Sequence, residues 1–257
     1  MKKLLLFSFV TVATLYAGGK LVEPPTVPPV PVVVDEWSGP YVGLQAGYVK
    51  GKGTINLTET YKNNQINAVY PTVINNYDPF TLKPSGFIGG IFAGVNRKLD
   101  NRDVVLGIEA VLNYTNIKKT KSPLSVSGDD LNGQSYTLKQ KWDVALYGRV
   151  GMLMGEDKSL MPYLLAGMAG CKLYGGMTKN GVTKWDKDTL TGWTVGAGLE
   201  YKINKNWHVR AQYRYTDYGS ATFTHDFSSG MISDKYTAKV KKYKTHSVMV
   251  GLSYHFK

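Results

Sequence analysis

Five charged residues recur on one face of segments in which apolar and polar residues alternate: Glu109, Arg149, Glu200, Arg210 and Arg214. Carboxylates and guanidiniums can pair bidentately in a space that excludes water. Counted from the short polar turns, four of the five fall at a similar height. Arg214 lies higher by about 13 Å, at about 3.3 Å per residue. The pattern predicts either a paired network that fills an interior or unpaired charges that line a wet channel.

Other residues suited to catalysis or metal binding are few. His225 and Asp226, with Ser228 and Ser229 nearby, are the candidates for acid–base or nucleophilic chemistry. Adjacent residues on a predicted loop do not by themselves supply a nucleophile, a base and an orienting group. The other histidines fall on different predicted strands: His208, His246 and His255. No metal-ligand spacing is visible, so we expect no enzyme, no cofactor and no metal.

The elements that position these residues are predicted β-strands. Between Gly192 and Gly219, apolar residues take every second place on both sides of the polar turn at 204–206, which predicts a hairpin. The same period of two recurs in further segments: 42–48, 87–95, 106–114, 142–150, 163–173 and 248–256. These segments and the hairpin make eight strands. Cys171, the only cysteine, is predicted to be a small apolar side chain in the fifth of them.

The predicted connections alternate in length. Long polar ones occupy 50–84, 116–137, 174–190 and 217–244, and short ones occupy 97–102, 154–160 and 204–206. Long loops at one end and tight turns at the other are typical of an all-β, antiparallel, up-and-down transmembrane β-barrel, with short periplasmic turns and long extracellular loops. A water-soluble sandwich or lipocalin would also have eight alternating strands.

Aromatic residues decide between these alternatives. Those predicted on the apolar face near the two ends are Tyr48, Tyr114, Trp142, Tyr163, Trp193, Tyr201, Trp207 and Tyr215. Two aromatic girdles around a band of Val, Leu, Ile and Ala are what a bilayer-exposed surface requires. We therefore predict a barrel whose apolar face meets lipid and whose charged face meets the lumen.

The N-terminal residues carry targeting and spacer features. Lys2 and Lys3 precede an apolar run and then small residues, so 1–19 are predicted to be a cleaved secretory signal peptide. Residues 20–39 carry five prolines among valines and are predicted to form a Pro-rich periplasmic tether. Residues 40–257 are then the barrel domain.

The net charge is +12. Much of the excess lies in two predicted loops, at Lys118, Lys119 and Lys121 and at Lys235, Lys239, Lys241, Lys242 and Lys244. Such lysines are either solvated loop charge or contacts for anionic lipid headgroups. We expect no nucleic-acid partner, because an exported chain without a basic helix or zinc motif lacks the usual signals.

Several stretches resemble the small porin-like outer-membrane barrel family, which is related to OmpA-type barrels: "GPYVGLQAGY", "GFIGGIFAGVN", "GIEAVLNY", "GWTVGAGLEYKINKNWHVRAQYRYTDYG" and "HSVMVGLSYHF". The resemblance covers about 37–257 and implies a surface protein of Gram-negative bacteria that is porin-like, adhesin-like or a surface antigen. It also implies an assembly signal in the final strand, read by the barrel-assembly machinery. Tyr254 and Phe256 match that signal, although Lys257 follows them.

The sequence therefore predicts a monomeric barrel in the outer membrane of a Gram-negative cell. Its expected function is to support outer-membrane integrity and to make surface contacts through external loops, with a lumen filled by the charged network. The alternatives are a narrow diffusion channel for small solutes and an adhesin or ligand-binding surface antigen. Expected partners are outer-membrane lipid, including lipopolysaccharide, the assembly machinery and a host or matrix surface.

Overall fold

The alternating segments form twelve strands in the part of the chain that the computed structural model describes, residues 36–63, 72–100, 102–227 and 232–256. The strands are β1 (Gly39–Asn63), β2 (Val73–Asn76), β3 (Phe80–Leu82), β4 (Ser85–Lys98), β5 (Val104–Lys121), β6 (Leu124–Val126), β7 (Asp129–Leu131), β8 (Gln134–Met152), β9 (Leu160–Lys179), β10 (Val182–Lys202), β11 (Trp207–Asp226) and β12 (Ile232–His255). Within these ranges, none of the structure is a helix of the length and apolarity needed to cross a membrane. The predicted signal peptide and residues 20–35 of the predicted tether lie outside them.

Eight long strands close into a ring. Neighbours run antiparallel in the order β1, β4, β5, β8, β9, β10, β11, β12, and β12 returns to pair with β1. The closing pair extends from Tyr41 opposite His255 to Asn63 opposite Ile232. Closure gives each of these strands two neighbours in the ring, although the β10–β11 ladder ends at Trp193 opposite Asp217 and does not continue along the upper parts of the two strands. The predicted eight-stranded antiparallel barrel is confirmed.

The connections at the periplasmic end are short, as predicted. In the β10–β11 hairpin, Asn204 Oδ1 accepts hydrogen bonds from the backbone N–H groups of Asn206 and Trp207, at 2.9 Å each. Between the β4–β5 and β8–β9 turns, Lys158 Nζ lies 2.6 Å from Asp103 Oδ1. Asn204 therefore satisfies backbone N–H groups of the β10–β11 turn, and the Lys158–Asp103 ion pair links the other two turns.

The connections at the extracellular end differ from the prediction in their structure. Most residues of the four predicted loops continue the barrel strands, so β1 runs on to Asn63 and β12 begins at Ile232. β9 and β10 are joined by a turn at Asn180 and Gly181, whose φ angles are 50° and 79°. The predicted loops are longer than the observed ones, because apolar residues at alternate positions face lipid in the membrane but face the interior of the barrel above it.

We call the part between the two aromatic girdles the membrane half. There the outward face is apolar and the lumen is polar, as β1 illustrates: Leu44 is 67% exposed, whereas Gln45 is 5% exposed. Beyond the outer girdle, in what we call the extracellular half, outward positions are polar and inward positions form an apolar core. That core includes Ile55, Leu57, Leu138, Leu173, Met177, Phe223, Tyr236, Ala238 and Val240.

Three strands change the parity of their inward residues just above the outer girdle. The change occurs at Lys141 in β8, at Gly219 and Ser220 in β11, and at Lys242 in β12. Each change coincides with a register shift, and Lys242 has a φ of 52°. A bulge adds one residue to a strand, so the inward row moves from odd to even positions or the reverse.

The residues just before β1 pack at the periplasmic end of the barrel. Trp37 is buried, and its Nε1 donates to the Lys158 carbonyl at 2.9 Å. Its ring also meets the His208 ring edge-on, with centroids 4.7 Å apart. Glu36 pairs with Lys202. The described end of the predicted tether therefore contacts the barrel, and β1 begins at Gly39.

Candidate functional site

The five predicted charged residues all point into the lumen of the membrane half, and each is at most 5% exposed. They are Glu109, Arg149, Glu200, Arg210 and Arg214. Each lies on a long strand at a position that alternates with a lipid-facing residue, as the period of two requires. The structure separates them into a periplasmic layer of four and an upper layer that holds the fifth.

Glu109 is the centre of the periplasmic layer. Its Oε2 lies 2.6 Å from Arg210 Nη1 and 3.2 Å from Arg149 Nη1. Two tyrosine hydroxyls also donate to this carboxylate: Tyr41 at 2.7 Å and Tyr147 at 2.5 Å. A buried carboxylate with four donors from three strands, β1, β8 and β11, is fully satisfied.

Arg149 joins the two carboxylates of this layer. Its Nη1 reaches Glu109, and its Nη2 is hydrogen-bonded to Glu200. The guanidinium also lies over the Tyr163 ring, 4.2 Å from the centroid, as in a cation–π contact. With Arg210, the layer contains two acidic and two guanidinium groups, so their formal charges cancel.

Amide side chains connect this layer to the upper one. Arg210 Nη2 donates to Gln45 Oε1 at 2.7 Å, and Gln45 Nε2 donates to Asn113 Oδ1 at 2.8 Å. Asn113 Nδ2 then donates to Asp143 Oδ1 at 2.7 Å. The hydrogen bonds therefore run without interruption from the periplasmic layer to the level of the outer girdle.

The upper layer pairs Arg214 with Asp143. The carboxylate also accepts from the Tyr218 hydroxyl. The height difference predicted for Arg214 agrees with this arrangement, but its partner Asp143 was not among the predicted network residues. The sequence signal was present, because Asp143 alternates with Trp142 and Val144 on β8.

Two histidines join the network, contrary to the expectation that the histidines are scattered. β11 and β12 pair with His208 opposite Ser253, which brings His255 close to His208. Their rings stack with centroids 3.7 Å apart. His208 Nδ1 lies 2.9 Å and His255 Nε2 3.4 Å from Glu200 Oε1. The prediction failed because the register of the β11–β12 pair was unknown.

Glu200, His208 and His255 each offer one ligand atom, all within 4.8 Å of one another. This is the spacing of a metal-ligand group. Arg149 already neutralises Glu200, however. A divalent cation would therefore add uncompensated positive charge to a buried layer, which is costly. The arrangement is better suited to orienting Glu200 by hydrogen bonds.

The catalytic candidates do not come together. His225 and Asp226 are consecutive on β11, so His225 points inward and is 2% exposed, while Asp226 points outward. Burial lowers the pKa of His225. Ser228 and Ser229 lie outside the described residues. His246 faces outward and shares a 2.7 Å hydrogen bond with the Tyr213 hydroxyl.

Seven of the eight predicted girdle residues lie on the outward face: Tyr48, Tyr114, Trp142, Trp193, Tyr201, Trp207 and Tyr215. The prediction for Tyr163 is wrong. Tyr163 points into the lumen and donates to Gln212 Oε1 at 2.8 Å. β9 is apolar on both faces, so alternation could not assign them: Leu164 is exposed and Leu165 buried. Cys171 and Leu173 are buried on the same inward row.

The predicted assembly-signal residues lie at the periplasmic end of β12. Phe256 is outward and exposed, and its N–H donates to the Pro40 carbonyl at 2.9 Å. Tyr254 meets Trp207 and Phe256 edge-on, with ring centroids 5.3 Å and 5.2 Å apart. Lys257 lies outside the described residues. The three rings form a continuous aromatic surface at this end.

A closed antiparallel ring with an apolar, girdled exterior and a polar lumen defines an integral outer-membrane β-barrel. Residues 26–256 match the family model described as outer membrane protein beta-barrel domain, and the chain belongs to this family. It is an outer-membrane protein.

Curated relatives are similar over most of the chain. The 31 kDa outer-membrane immunogenic protein of Brucella melitensis is 31% identical over 265 residues, which covers all of both chains. The 25 kDa outer-membrane immunogenic protein of Brucella ovis is 33% identical over 85% of this chain and 89% of its own. Among solved structures, OprG of Pseudomonas aeruginosa is 13% identical, covers 86% of this chain and 98% of its own, and has a TM-score of 0.48.

Proposed function

We propose that this protein is a closed structural barrel that supports outer-membrane integrity, with its lumen plugged by the charged network. The observation that carries the proposal is the ion pair between Glu109 on β5 and Arg210 on β11, which joins opposite walls of the ring, together with the Arg149 contacts to Glu109 and Glu200 beside it. An eight-stranded barrel is just wide enough for its side chains to fill the interior. Paired charges at this position would obstruct the path of water and ions through the lumen.

The extracellular half supports the same proposal. Above the upper layer, buried apolar residues such as Leu138, Phe223 and Val240 occupy the interior, each at 0% exposure. An ion that crossed the barrel would have to leave water for this apolar segment, which costs several kcal/mol. A solute would therefore meet two successive obstacles of different chemistry.

Single-channel recording in planar bilayers tests the plug. We expect no steady conductance from the native barrel. Glu109→Ala and Glu200→Ala should introduce leak events, because each frees a guanidinium from its partner. Glu156→Ala, in an exposed periplasmic turn, is the matched control and should stay silent. A large steady conductance in the native protein, unchanged in both lumen variants, would instead establish the narrow diffusion channel.

Integrity is tested in cells. A strain that lacks the protein should take up more of a hydrophobic fluorescent probe than its parent. Reintroducing the native chain should restore the barrier. Unchanged uptake in the deletion strain would contradict a role in integrity, even if the barrel were silent in bilayers.

A second candidate function, surface contact, is favoured by exposed apolar side chains at the extracellular tips. Ile74 is 60% exposed and Trp185 is 52% exposed, and both lie where most of the outward surface is polar. Contiguous exposed apolar surface marks interaction sites, and Val73 beside Ile74 is also exposed. The relatives named immunogenic fit a protein that presents an outer surface.

Attachment assays test this candidate. Cells that express Ile74→Ser with Trp185→Ser should adhere less to matrix-coated surfaces than cells with the native barrel, while Thr222→Ser, also outward in the extracellular half, should not matter. Equal adhesion of all three strains would reject it. The contact would be made by strand ends and turns rather than by long flexible loops.

We further propose that Phe256 and Tyr254 are the signal for the barrel-assembly machinery and that the barrel is monomeric. Phe256→Ala should lower the amount of heat-modifiable barrel in the outer membrane without changing refolding in detergent. A parallel loss in both measurements would assign Phe256 to stability alone.

A further inference from the structure

Five lysines form a compact group on the outer wall, immediately above the outer aromatic girdle. We call the group the outer lysine patch: Lys118 on β5, Lys139 and Lys141 on β8, Lys172 on β9 and Lys187 on β10. Lys118 lies opposite Lys139, Lys139 opposite Tyr174, and Tyr174 opposite Lys187. Four adjacent strands, each about 4.8 Å from the next, give the row a width of about 14 Å.

A lower row joins the patch to the girdle. Trp142 lies opposite Tyr114 on one side and opposite Lys172 on the other. Lys141 is the extra residue of the β8 bulge, and its Nζ lies 5.4 Å from the centroid of the Tyr174 ring. The patch therefore begins at the height of the outer girdle, where lipid headgroups meet the barrel.

The patch lacks counter-charges from the protein. Like charges directly opposite each other across antiparallel strands are destabilising, as for Lys118 and Lys139. Throughout the described ranges, no acidic side chain lies within ion-pair distance of the five lysines. The opposite wall differs, since Lys52 lies opposite Lys244 and Lys244 pairs with Asp217 at 3.2 Å.

An apolar groove lies directly below the patch on the same strands. It has a volume of about 390 Å³ and is lined by residues that include Ala110, Val144, Leu146, Met168 and Gly170. Leu112, Val144, Gly170 and Thr191 face one another across the strands one row below Trp142 and Lys172. Small side chains at Ala110 and Gly170 leave room between larger neighbours.

We propose that the patch and the groove form one binding site for an acylated, phosphate-bearing glycolipid of the outer leaflet. The headgroup phosphates neutralise the lysines, and one acyl chain lies in the groove. The patch lies directly above the groove, so one lipid molecule can place its phosphates at the lysines and an acyl chain in the groove. A free anion could occupy only the patch, which favours a lipid. The inference rests on the proposed structural function, to which it adds the class of lipid that the barrel holds.

Native mass spectrometry of the full refolded barrel, exchanged from phosphatidylcholine nanodiscs, provides the test. The probes are bisphosphorylated lipid A, monophosphorylated lipid A and phosphatidylcholine. Each lysine near an anionic surface strengthens association about fivefold. Lys118→Gln, Lys139→Gln and Lys172→Gln combined should therefore weaken retention of bisphosphorylated lipid A at least tenfold, and the monophosphorylated form should bind more weakly than the bisphosphorylated one.

The matched control combines Lys52→Gln, Lys239→Gln and Lys241→Gln, which removes the same charge from the opposite wall. Retention within twofold of the native barrel is expected for this control. Equal losses in the two triple variants would overturn the proposal and indicate attraction by net charge alone.

Gly170→Leu tests the groove. A Cβ at Gly170 would meet its nearest atoms at 3.4 Å, so the backbone tolerates a side chain there. Gly170→Leu should weaken lipid A several-fold and leave the binding of the deacylated, phosphorylated disaccharide unchanged. Full displacement of lipid A by millimolar inorganic phosphate would overturn the lipid assignment in favour of a free-phosphate site.

The same samples separate this proposal from the proposed function. A triple patch variant that is silent in bilayers and heat-modifiable, yet retains lipid A as the native barrel does, overturns the glycolipid site alone. Steady conductance of the native barrel overturns the plug whatever the lipid result.

Discussion

The membrane half and the extracellular half are made from the same eight strands but have opposite polarity. In the membrane half, Glu109 and Arg210 are inside and Leu44 and Leu164 are outside. In the extracellular half, Leu57 and Val240 are inside, and lysines such as Lys239 are outside. The β1–β12, β8–β9, β9–β10 and β11–β12 ladders continue from one half into the other, so the surroundings rather than the strand pairing decide which face must be apolar.

The difference shows that an alternating pattern does not by itself reveal which face of a strand points into the barrel. That assignment requires knowing whether water or lipid surrounds the strand. In water, burial of apolar area drives side chains inward. In lipid, apolar side chains gain nothing by turning inward, and the polar ones must find each other in the lumen. The barrel therefore has two interiors, one held by ion pairs and one by apolar packing.

The largest expected effect comes from breaking the ion-paired interior. Glu109→Ala leaves both Arg149 and Arg210 short of a partner at a buried site. We expect a loss of about 3–5 kcal/mol in the free energy of unfolding. Urea titration of the barrel in lipid vesicles measures it. Asp103→Ala, at an exposed turn, is the control, and a loss below about 1 kcal/mol at Glu109 would mean that water screens the layer.

The apolar interior is tested with Leu138→Ala. Leu138 is 0% exposed, and truncation of a buried Leu to Ala costs about 2–5 kcal/mol. Hydrogen exchange should show the loss in the extracellular half, while the strands of the membrane half keep their protection. The outward Thr222→Ala should change exchange little, and uniform deprotection of both halves would show that they unfold as one unit.

The lipid-facing and water-facing parts of the outer surface can be compared on a single strand, β11. Ala211 and Thr222 both point outward from β11, the first towards lipid and the second towards water. Ala211→Arg should cost about 2–4 kcal/mol, as expected for a charge at the bilayer midplane. Thr222→Arg should stay within about 0.5 kcal/mol. Equal tolerance of Arg at both sites would show that the membrane boundary assigned between them is wrong.

The smallest expected effect concerns a group of hydrogen-bonded polar residues at the extracellular tips: Glu59, Asn75, Lys179, Asp234 and Tyr236. Burial acts to raise the pKa of Glu59, but hydrogen bonds from Asn75 and Tyr236 and the charge of Lys179 outweigh it and lower the pKa. A carboxyl with a lowered folded pKa adds stability above its unfolded pKa of about 4.3, and this is lost as the pH falls through the folded value. Protection of the tips should therefore fall below about pH 4.

Glu59→Gln should remove that pH dependence. Its neighbour Asp234 titrates with the opposite sign, because burial and the contact with Glu59 raise the pKa of Asp234 more than the hydrogen bond and charge of Lys179 lower it. Protonation of Asp234 therefore favours the fold, and Asp234→Asn should keep the loss below about pH 4. Hydrogen exchange, corrected for intrinsic rates, measures both. An acid loss that persists in Glu59→Gln would assign it to another group.

Most of the membrane half could be predicted from the sequence, because its alternation is regular and its turns are short. Counting from the turns placed Glu200 and Arg210 at one height, and they lie directly opposite each other. Partners on strands that are distant in sequence, such as Tyr41 on β1 and His255 on β12, could not be predicted. Their positions depend on how the ring closes, which no local pattern records.

The extracellular half could not be predicted for a different reason. Bulges at Lys141 and Lys242 shift the inward row by one residue, so the apolar positions above the girdle do not continue the row below it. Tyr236, Ala238 and Val240 alternate with lysine or threonine, but a lysine-rich segment of this kind is equally typical of a solvated loop. Tyr163 was misplaced because both faces of β9 are apolar.

The bulges have a consequence for how such a surface can change over evolutionary time. The bulges lie at one level, just outside the bilayer. They therefore mark a boundary at which one set of extracellular hairpins could be exchanged for another. A new hairpin that supplies its own apolar interior needs to match only the strand ends at that boundary, and the ion pairs below it stay untouched. The extracellular half can therefore be replaced without disturbing the ion-paired half that anchors the protein in the membrane.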